Sequence, residues 1–569
     1  MIPYLTFRCN QLFISIILFI VVSQNLRSQN LEGISKQKPL TINGGMMAQI
    51  IFYNANGISA DRQPISYILT GSPTIGIYNI ITIPLIFTYS EQERLLRQPF
   101  NQFGISPNYK WITLHAGYQN LNYSQFTLAG HTILGAGIDL NPGIFRFGFI
   151  YGRFNRATGA DTSSKALQPY TYANYGYAIK LGLGKGSNFF ELSFLKAKDY
   201  STSIRPDSVF RGQVTPAENV TIGMNGQIRF LKYFTYSIEG ATSLYTSNLG
   251  SKGNMVDSAD NLLVKMLGHL ITTNSSTAHF NAIQTGIGFQ QNPFGLKLQY
   301  HRIDPDYKSM GAYFFNSDLE NITIAPSLNL FSNKLRLNGS IGFQHDNLNS
   351  QNQSTSHRII GSANFSADLN SHLGFDFSFS DYSDNQQMKT ILLKDTFRIA
   401  QVSENISFTP RYVFANEKYV HSVILSLNYN LFTTLDNSTN NQEQTKTWNS
   451  LLNYQITIIA TNLTLNAGLN YTDVMAVGYE EGNEGITLGI SKILKKGKLS
   501  LGWNGSFLYG INSSSGGLIL NQSLNANYKI SKQNSFGANV NYINNKSQQI
   551  VYSPDYSELT VTLNYRLSF

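Results

Sequence analysis

The chain of 569 residues contains one cysteine, Cys9, which lies inside an N-terminal segment that reads as an export signal. Once that segment is removed, disulfides, thiolate metal sites and cysteine nucleophiles are excluded. Charge is also scarce. Asp, Glu, Lys and Arg make up 13% of the residues, against the quarter usual in globular domains. After the signal no stretch offers eighteen apolar residues in a row, so no transmembrane helix is expected. No Lys/Arg run forms an electrostatic footprint for nucleic acid. The nine histidines form no His-x-x-x-His pair, and nothing in the sequence places Ser, His and Asp together. Gly182-Leu-Gly-Lys-Gly-Ser187 lacks the spacing and the following helix of a phosphate loop. Asp304 and Asp306 alone make a poor calcium site. Neither enzymatic activity nor a cofactor is expected.

The export signal is assigned to residues 1–29. Arg8 supplies its positive flank and Leu12 to Val22 its apolar core, followed by small and polar residues around Ser23 and Ser28. The core is too short to span a bilayer. Cys9 precedes it, which argues against a lipid-anchor cysteine. The formal net charge is +9, and loss of Arg8 and Arg27 leaves +7.

The rest of the chain repeats one pattern. In the last residues, Leu559, Val561, Leu563, Tyr565, Leu567 and Phe569 alternate with Thr560, Thr562, Asn564, Arg566 and Ser568. A period of two puts the first set on one face and the second set on the other. The same alternation runs through Leu335–Phe343, Val423–Leu431, Leu463–Tyr471, Leu499–Tyr509 and Leu518–Ile530. Connections fall into two classes. Short ones such as Asn141-Pro-Gly, Ser332-Asn-Lys and Lys495-Lys-Gly-Lys carry tight-turn residues. Long polar ones lie near 156–171, 199–217, 247–278, 303–317, 383–396, 435–446 and 546–555. A polar inner face, an apolar outer face, short periplasmic turns and long extracellular loops define a transmembrane antiparallel β-barrel. A secreted sandwich would not sort its loops by length in this way, and a solenoid would show a stricter repeat.

Counting from Pro107 gives 22 strands, the first at 107–118 and the last at 557–569. Further strand patterns at 42–55, 65–79 and 81–90 either raise the count towards 26 or belong to an internal plug. The expected layout is therefore a signal at 1–29, an N-terminal segment at 30–106 and a barrel at 107–569. A barrel this wide would leak if empty. The N-terminal segment, inward loops such as 247–278, or a partner protein are the candidates to fill it.

Parity places isolated charges on the inner face: Asp139, Arg146, Lys180, Glu191, Arg229, Glu239, Lys297, Arg336, Asp376 and Arg566. Asp139 and Arg146 flank one tight turn and could pair across it. These charges either tune the lumen for polar or anionic solutes or pair with one another and hold a plug. Aromatic residues concentrate at strand ends, among them Trp111, Tyr236, Trp503, Tyr528 and Tyr565, as in the girdles at both membrane interfaces.

With its signal ending near Leu26-Arg-Ser-Gln-Asn30, its strand–turn array and its terminal Tyr565-Arg-Leu-Ser-Phe569, the chain resembles the large outer-membrane β-barrels of the Bacteroidota. Gly104-Ile-Ser-Pro-Asn-Tyr-Lys-Trp111 and Tyr123-Ser-Gln-Phe-Thr-Leu-Ala-Gly-His131 resemble uncharacterised barrels of that group. The resemblance implies the cell outer membrane, contact with its lipid and lipopolysaccharide, and insertion by the barrel assembly machinery through the terminal aromatic. Plugged, energy-coupled receptors are a poorer match, because their plug is larger than the roughly 75 residues between the signal and Pro107. Two functions are expected: passage of solute or polypeptide across the outer membrane, or a non-transporting scaffold contacting other outer-membrane or periplasmic proteins.

Overall fold

Among the described residues no second sheet pairs with the edges of the strand array, so closure into a ring is what satisfies them. The computed structural model describes residues 38–569 apart from 61, 92–100, 161–168, 206–212, 256–261, 313–315, 351–356, 387–398, 436–442, 512–516 and 548–554. The signal at 1–29 lies outside the described residues. Twenty-nine strand segments form one antiparallel sheet. Leu40–Asn43 continues into Gly45–Asn56, Ile65–Gly71 into Thr74–Ile77, and Gln102–Ile105 into Asn108–Tyr109, which leaves 26 staves. Tyr556–Ser568 pairs along its length with Gly45–Asn56, from Ser557 opposite Asn56 to Ser568 opposite Gly45. That pairing closes the ring. At a strand spacing of ~4.8 Å and a tilt of ~40°, 26 staves enclose a round barrel about 50 Å across.

The patterns at 42–55, 65–79 and 81–90 are barrel strands, not a plug. The stretch read as one strand at 107–118 is two. Asn108–Tyr109 and Ile112–Asn120 meet at a tight turn in which Lys110 has φ 54°. Sequence parity misses this turn because it takes up only Lys110 and Trp111 and contains no glycine.

Twelve short turns lie on the rim that holds Leu40 and Phe569, whose N–H donates to the Gly44 carbonyl at 2.9 Å. The long connections lie on the other rim. Outer-face side chains stay exposed where the lipid would be, as with Leu181, Leu192, Ile341, Leu469 and Leu524. Near the short-turn rim the outer rings touch in series. Phe230, Phe234, Phe289 and Phe294 follow one another at centroid distances of 5.6, 5.1 and 6.2 Å. Phe365, Phe375 and Phe408 continue the belt at 5.4 and 5.9 Å.

Among the described residues of the connection expected at 247–278, the helix does not enter the lumen. This helix, Leu262–Gly268, buries Val264 and Leu267, with Ile271 beyond it, against Val220 and Leu244. Those two wall residues share parity with exposed Ile228 and Tyr236. The helix therefore lies on the outer surface, and Leu263 and Met266 face away from the wall.

Candidate functional site: a strapped lumen with one neutral wall

Two connections fold into the barrel instead. Residues 121–131 and 304–312 meet as a short parallel pair, Leu128 opposite Gly311 and Ala129 opposite Ala312. The first segment enters with Tyr123, Phe126 and Leu128 buried. Apolar residues in a water-filled lumen need such a partner, and the wall provides one. Ile133, Ile150, Phe154, Ala178 and Leu195 turn inward and pack around Leu128 and Tyr123. On the same strand Leu195 is 0% exposed and Leu192, three residues away on the lipid face, is 49% exposed. A second cluster joins Phe126 and Tyr307 to Ala241, Ala282 and Ile303 of the wall.

Hydrogen bonds fix the two straps to each other and to the wall. The Tyr307 hydroxyl donates to the Phe126 carbonyl at 2.7 Å, and Ser309 Oγ donates to the Thr127 carbonyl at 2.7 Å. The Gln125 N–H donates to Glu239 at 2.6 Å, and its side chain donates to Gln284 at 2.8 Å. Thr127 Oγ1 and Ser193 Oγ lie 3.0 Å apart. The Met310 N–H donates to Asn219 Oδ1 at 3.0 Å, and Ser243 Oγ donates to the Lys308 carbonyl at 2.6 Å. Asn219, Thr221 and Ser243 beneath them are buried and bonded to one another. Two glycines set the approach. A Cβ on Gly311 would lie 2.2 Å from Leu195 Cδ1 and 2.4 Å from the Thr127 carbonyl oxygen. One on Gly148 would lie 2.6 Å from Asp139 Oδ1 and 2.8 Å from the Tyr123 hydroxyl.

Burial and nearby Asp304 push the Tyr307 phenol well above its usual range. Burial also lowers the His131 imidazole to about 4. Its ring packs edge-on against Phe154 at 5.4 Å.

The inner charges fall into separate groups. Asp139 does not meet Arg146. It bonds His115 Nε2 at 3.0 Å, while Arg146 pairs with Glu191 at 2.9 Å across two strands. Lys180 lies over the Tyr123 ring at 4.9 Å, and Glu239 holds the strap. Arg336 donates to Ser366 at 3.1 Å. Asp376 and Asp368 both pair with Arg411. Arg229 pairs in register with Thr235, Lys297 with Ala325, and Arg566 with Ser535 and Met47. These ten positions are thus spread over strands from Thr132–Leu140 to Tyr556–Ser568, and Asp139, Lys180 and Glu239 touch the straps or their immediate surroundings. Sequence reading missed Ser106, Gln119 and His115. Ser106 Oγ donates to Gln119 at 2.9 Å and lies 3.1 Å from His115 Nδ1. Ser, His and Asp do come together here, as a buried chain of hydrogen bonds that joins three neighbouring strands beside the strap. Asp304 has its oxygens on the Asn281 N–H at 2.8 Å, on the Asn281 side chain and on Arg302. Among the described residues no group of three or more acidic, His or Cys side chains could hold a metal ion.

The strap contacts fall on the arc from Thr132–Leu140 to Phe294–Ile303. The opposite arc comprises the nine strands from Ile399–Ala415 to Tyr556–Ser568. Its inner face is mostly Asn, Ser and Thr. Register carries Asn405 to Asn430, Asn428 to Asn449, Asn453 to Gly468, and Asn525 to Asn539. Asn470 donates to Thr487 at 2.6 Å, and Asn521 to Ser506 at 3.2 Å. These asparagines are half-buried or exposed, unlike the buried inner residues under the straps. The sheet thus presents a neutral, hydrogen-bonding surface to an accessible lumen.

No protein-family model matches the chain. No curated protein matches it either. Solved structures similar to it include the FrpB iron transporter from Neisseria meningitidis (F3-3 variant), at 12% identity over 92% of this chain and 81% of that one, TM-score 0.35. The P pilus usher (PapC) translocation pore is 9% identical over 93% of this chain and 99% of that one, TM-score 0.39. The copper transporter OprC is 9% identical over 94% and 81%, TM-score 0.40. What the chain is follows from its own ring of strands: a 26-stranded, closed antiparallel β-barrel.

Proposed function

We propose that this barrel passes hydrophilic solutes across the outer membrane along its neutral arc, with the straps narrowing the lumen from the opposite side. The observation that carries this reading is the contrast between the two arcs. A strap layer about 10 Å thick covers one wall of a barrel about 50 Å across, and the Asn/Ser/Thr wall keeps its side chains accessible. The few charges of this wall, among them Arg411, Lys529 and Arg566 near one rim and Glu481 and Glu558 near the other, leave its middle uncharged, with little means of selecting ions by sign. It suits uncharged polar solutes, which exchange water hydrogen bonds for amide and hydroxyl ones. Passage of a polypeptide would use the same surface. Membership of the Bacteroidota-type barrels and insertion by the barrel assembly machinery belong to the same reading. Liposome swelling in neutral sugars tests it. The purified chain should support swelling, and liposomes that stay sealed would count against it.

One observation favours the scaffold reading. The outer helix Leu262–Gly268 shows Leu263 and Met266 away from the wall, apolar surface that a neighbouring membrane protein could cover. Isolation in mild detergent separates the readings: a channel comes alone or as a small homo-oligomer, a scaffold with stoichiometric partners.

A further inference from the structure

The turns of the short-turn rim are rich in lysine. Among its connections and the strand ends beside them are Lys110, Lys185, Lys232, Lys334 and Lys418, and the turns at 495–498 and 530–533 add four more lysines. The turns themselves contain one acidic residue, Glu417, and no arginine. Connections on the opposite rim mix both signs, as Asp304, Asp306 and Lys308 do.

Three of these lysines have a defined direction. Lys110 lies over the Tyr109 ring at 5.1 Å, Lys232 over Tyr233 at 5.2 Å, and Lys495 over Tyr528 at 5.2 Å. Tyr109 shares parity with exposed Phe103, and Tyr528 with exposed Leu524, so both belong to the lipid face. The ammonium groups on them therefore sit outside the mouth, at the level of the aromatic belt. Interfacial rings lie among lipid headgroups, and lysines beside them reach headgroup phosphates. The lysines are also spread round the circumference, recurring from the turn at 110–111 to that at 530–533. A discrete protein partner would need a patch, whereas a lipid leaflet meets the whole ring.

We propose that this lysine ring binds anionic phospholipid headgroups of the periplasm-facing leaflet and fixes the depth of the barrel in the membrane. One lysine near an anionic surface favours the anionic lipid about fivefold. The test reconstitutes the full chain in bilayers of phosphatidylcholine with phosphatidylglycerol. The barrel is then extracted with its retained lipid, which is counted by mass spectrometry. Phosphatidylglycerol should be enriched about fivefold or more over the bulk ratio. The enrichment should fall towards the bulk ratio in Lys110→Gln/Lys232→Gln/Lys495→Gln and persist with arginine at the same three positions. Heat-modifiable migration on gels shows that each variant is folded. Should the glutamine variant not fold, a salt series on the unaltered chain decides, because exposed charge pairs are screened within a Debye length of about 8–10 Å. Retention at the bulk ratio, enrichment indifferent to salt, or enrichment unchanged in the folded glutamine variant would each overturn the proposal. So would lysine-dependent binding of soluble polyaspartate without any lipid preference.

Discussion

At Gly311 the two straps and the wall meet, and a single methyl group has no room there. Gly311→Ala must push strap 304–312 off Leu195 or separate it from Thr127. Either change loosens the layer and costs about 1–3 kcal/mol of local packing. Conductance of the variant should be larger and noisier than that of the unaltered barrel, and an identical conductance would show that the straps do not bound the path. His131 makes a pH prediction at the same scale. Burial lowers its imidazole to about 4 in the fold, below the ordinary 6.5. The unfolded strap therefore takes up a proton that the packed strap refuses, and packing weakens as pH falls from about 6.5 towards 4. The full difference is on the order of 3 kcal/mol. Limited proteolysis of the 121–131 segment should become faster across that window, and His131→Phe should remove the dependence.

At the scale of single elements, two tests follow from parity and from the absence of cysteine after the signal. Thr127→Cys with Ser193→Cys introduces the only thiols beyond Cys9. Their present oxygens are 3.0 Å apart, close enough for a disulfide of ~2.05 Å with small side-chain adjustment. Oxidation should cross-link strap to wall without loss of conductance, because the strap already rests there. A cross-link that closes the channel would mean that the strap moves during passage. In the closing strand, Leu563→Arg puts a charge on the lipid face at a cost of about 2–4 kcal/mol near the membrane centre. Thr562→Arg turns the same charge into the lumen and should be tolerated. Urea unfolding in lipid vesicles compares the two.

These elements also show what the sequence made legible. Strands such as Leu463–Ala476 and Tyr556–Ser568 announce themselves, because lipid on one side and water on the other impose a period of two on every residue. The alternating turn lengths likewise fixed which rim is which. The turn at Lys110-Trp111 was hidden, since two residues without glycine or proline do not interrupt an alternating pattern. The straps were hidden for another reason. Residues 121–131 carry no periodicity, and their burial comes from Ile150, Leu195 and Ile303, which are distant in sequence. An inward-facing leucine or isoleucine in a polar lumen row was the available signal. Leu195 and Ile150 occupy such positions, on the face that carries Glu191 and Arg146. Conversely, 247–276 looked long enough to fill the lumen, but its apolar helix lies against the outer wall. Parity gives each isolated charge a face but not a partner, because pairing reaches past the neighbouring strand, as in Arg146 with Glu191.

For the whole molecule, the account rests on asymmetry. One arc of the lumen is dry, packed and held by Glu239, Ser193 and Asn219. The other is mostly Asn, Ser and Thr from Asn405 round to Asn564, with its few charges near the rims. If the accessible arc is a path, the barrel conducts by itself. The most direct test is conductance of the purified full chain in planar bilayers with no partner added. The account predicts steady openings with little preference between cations and anions. A correctly folded, inserted barrel that stays silent would contradict it.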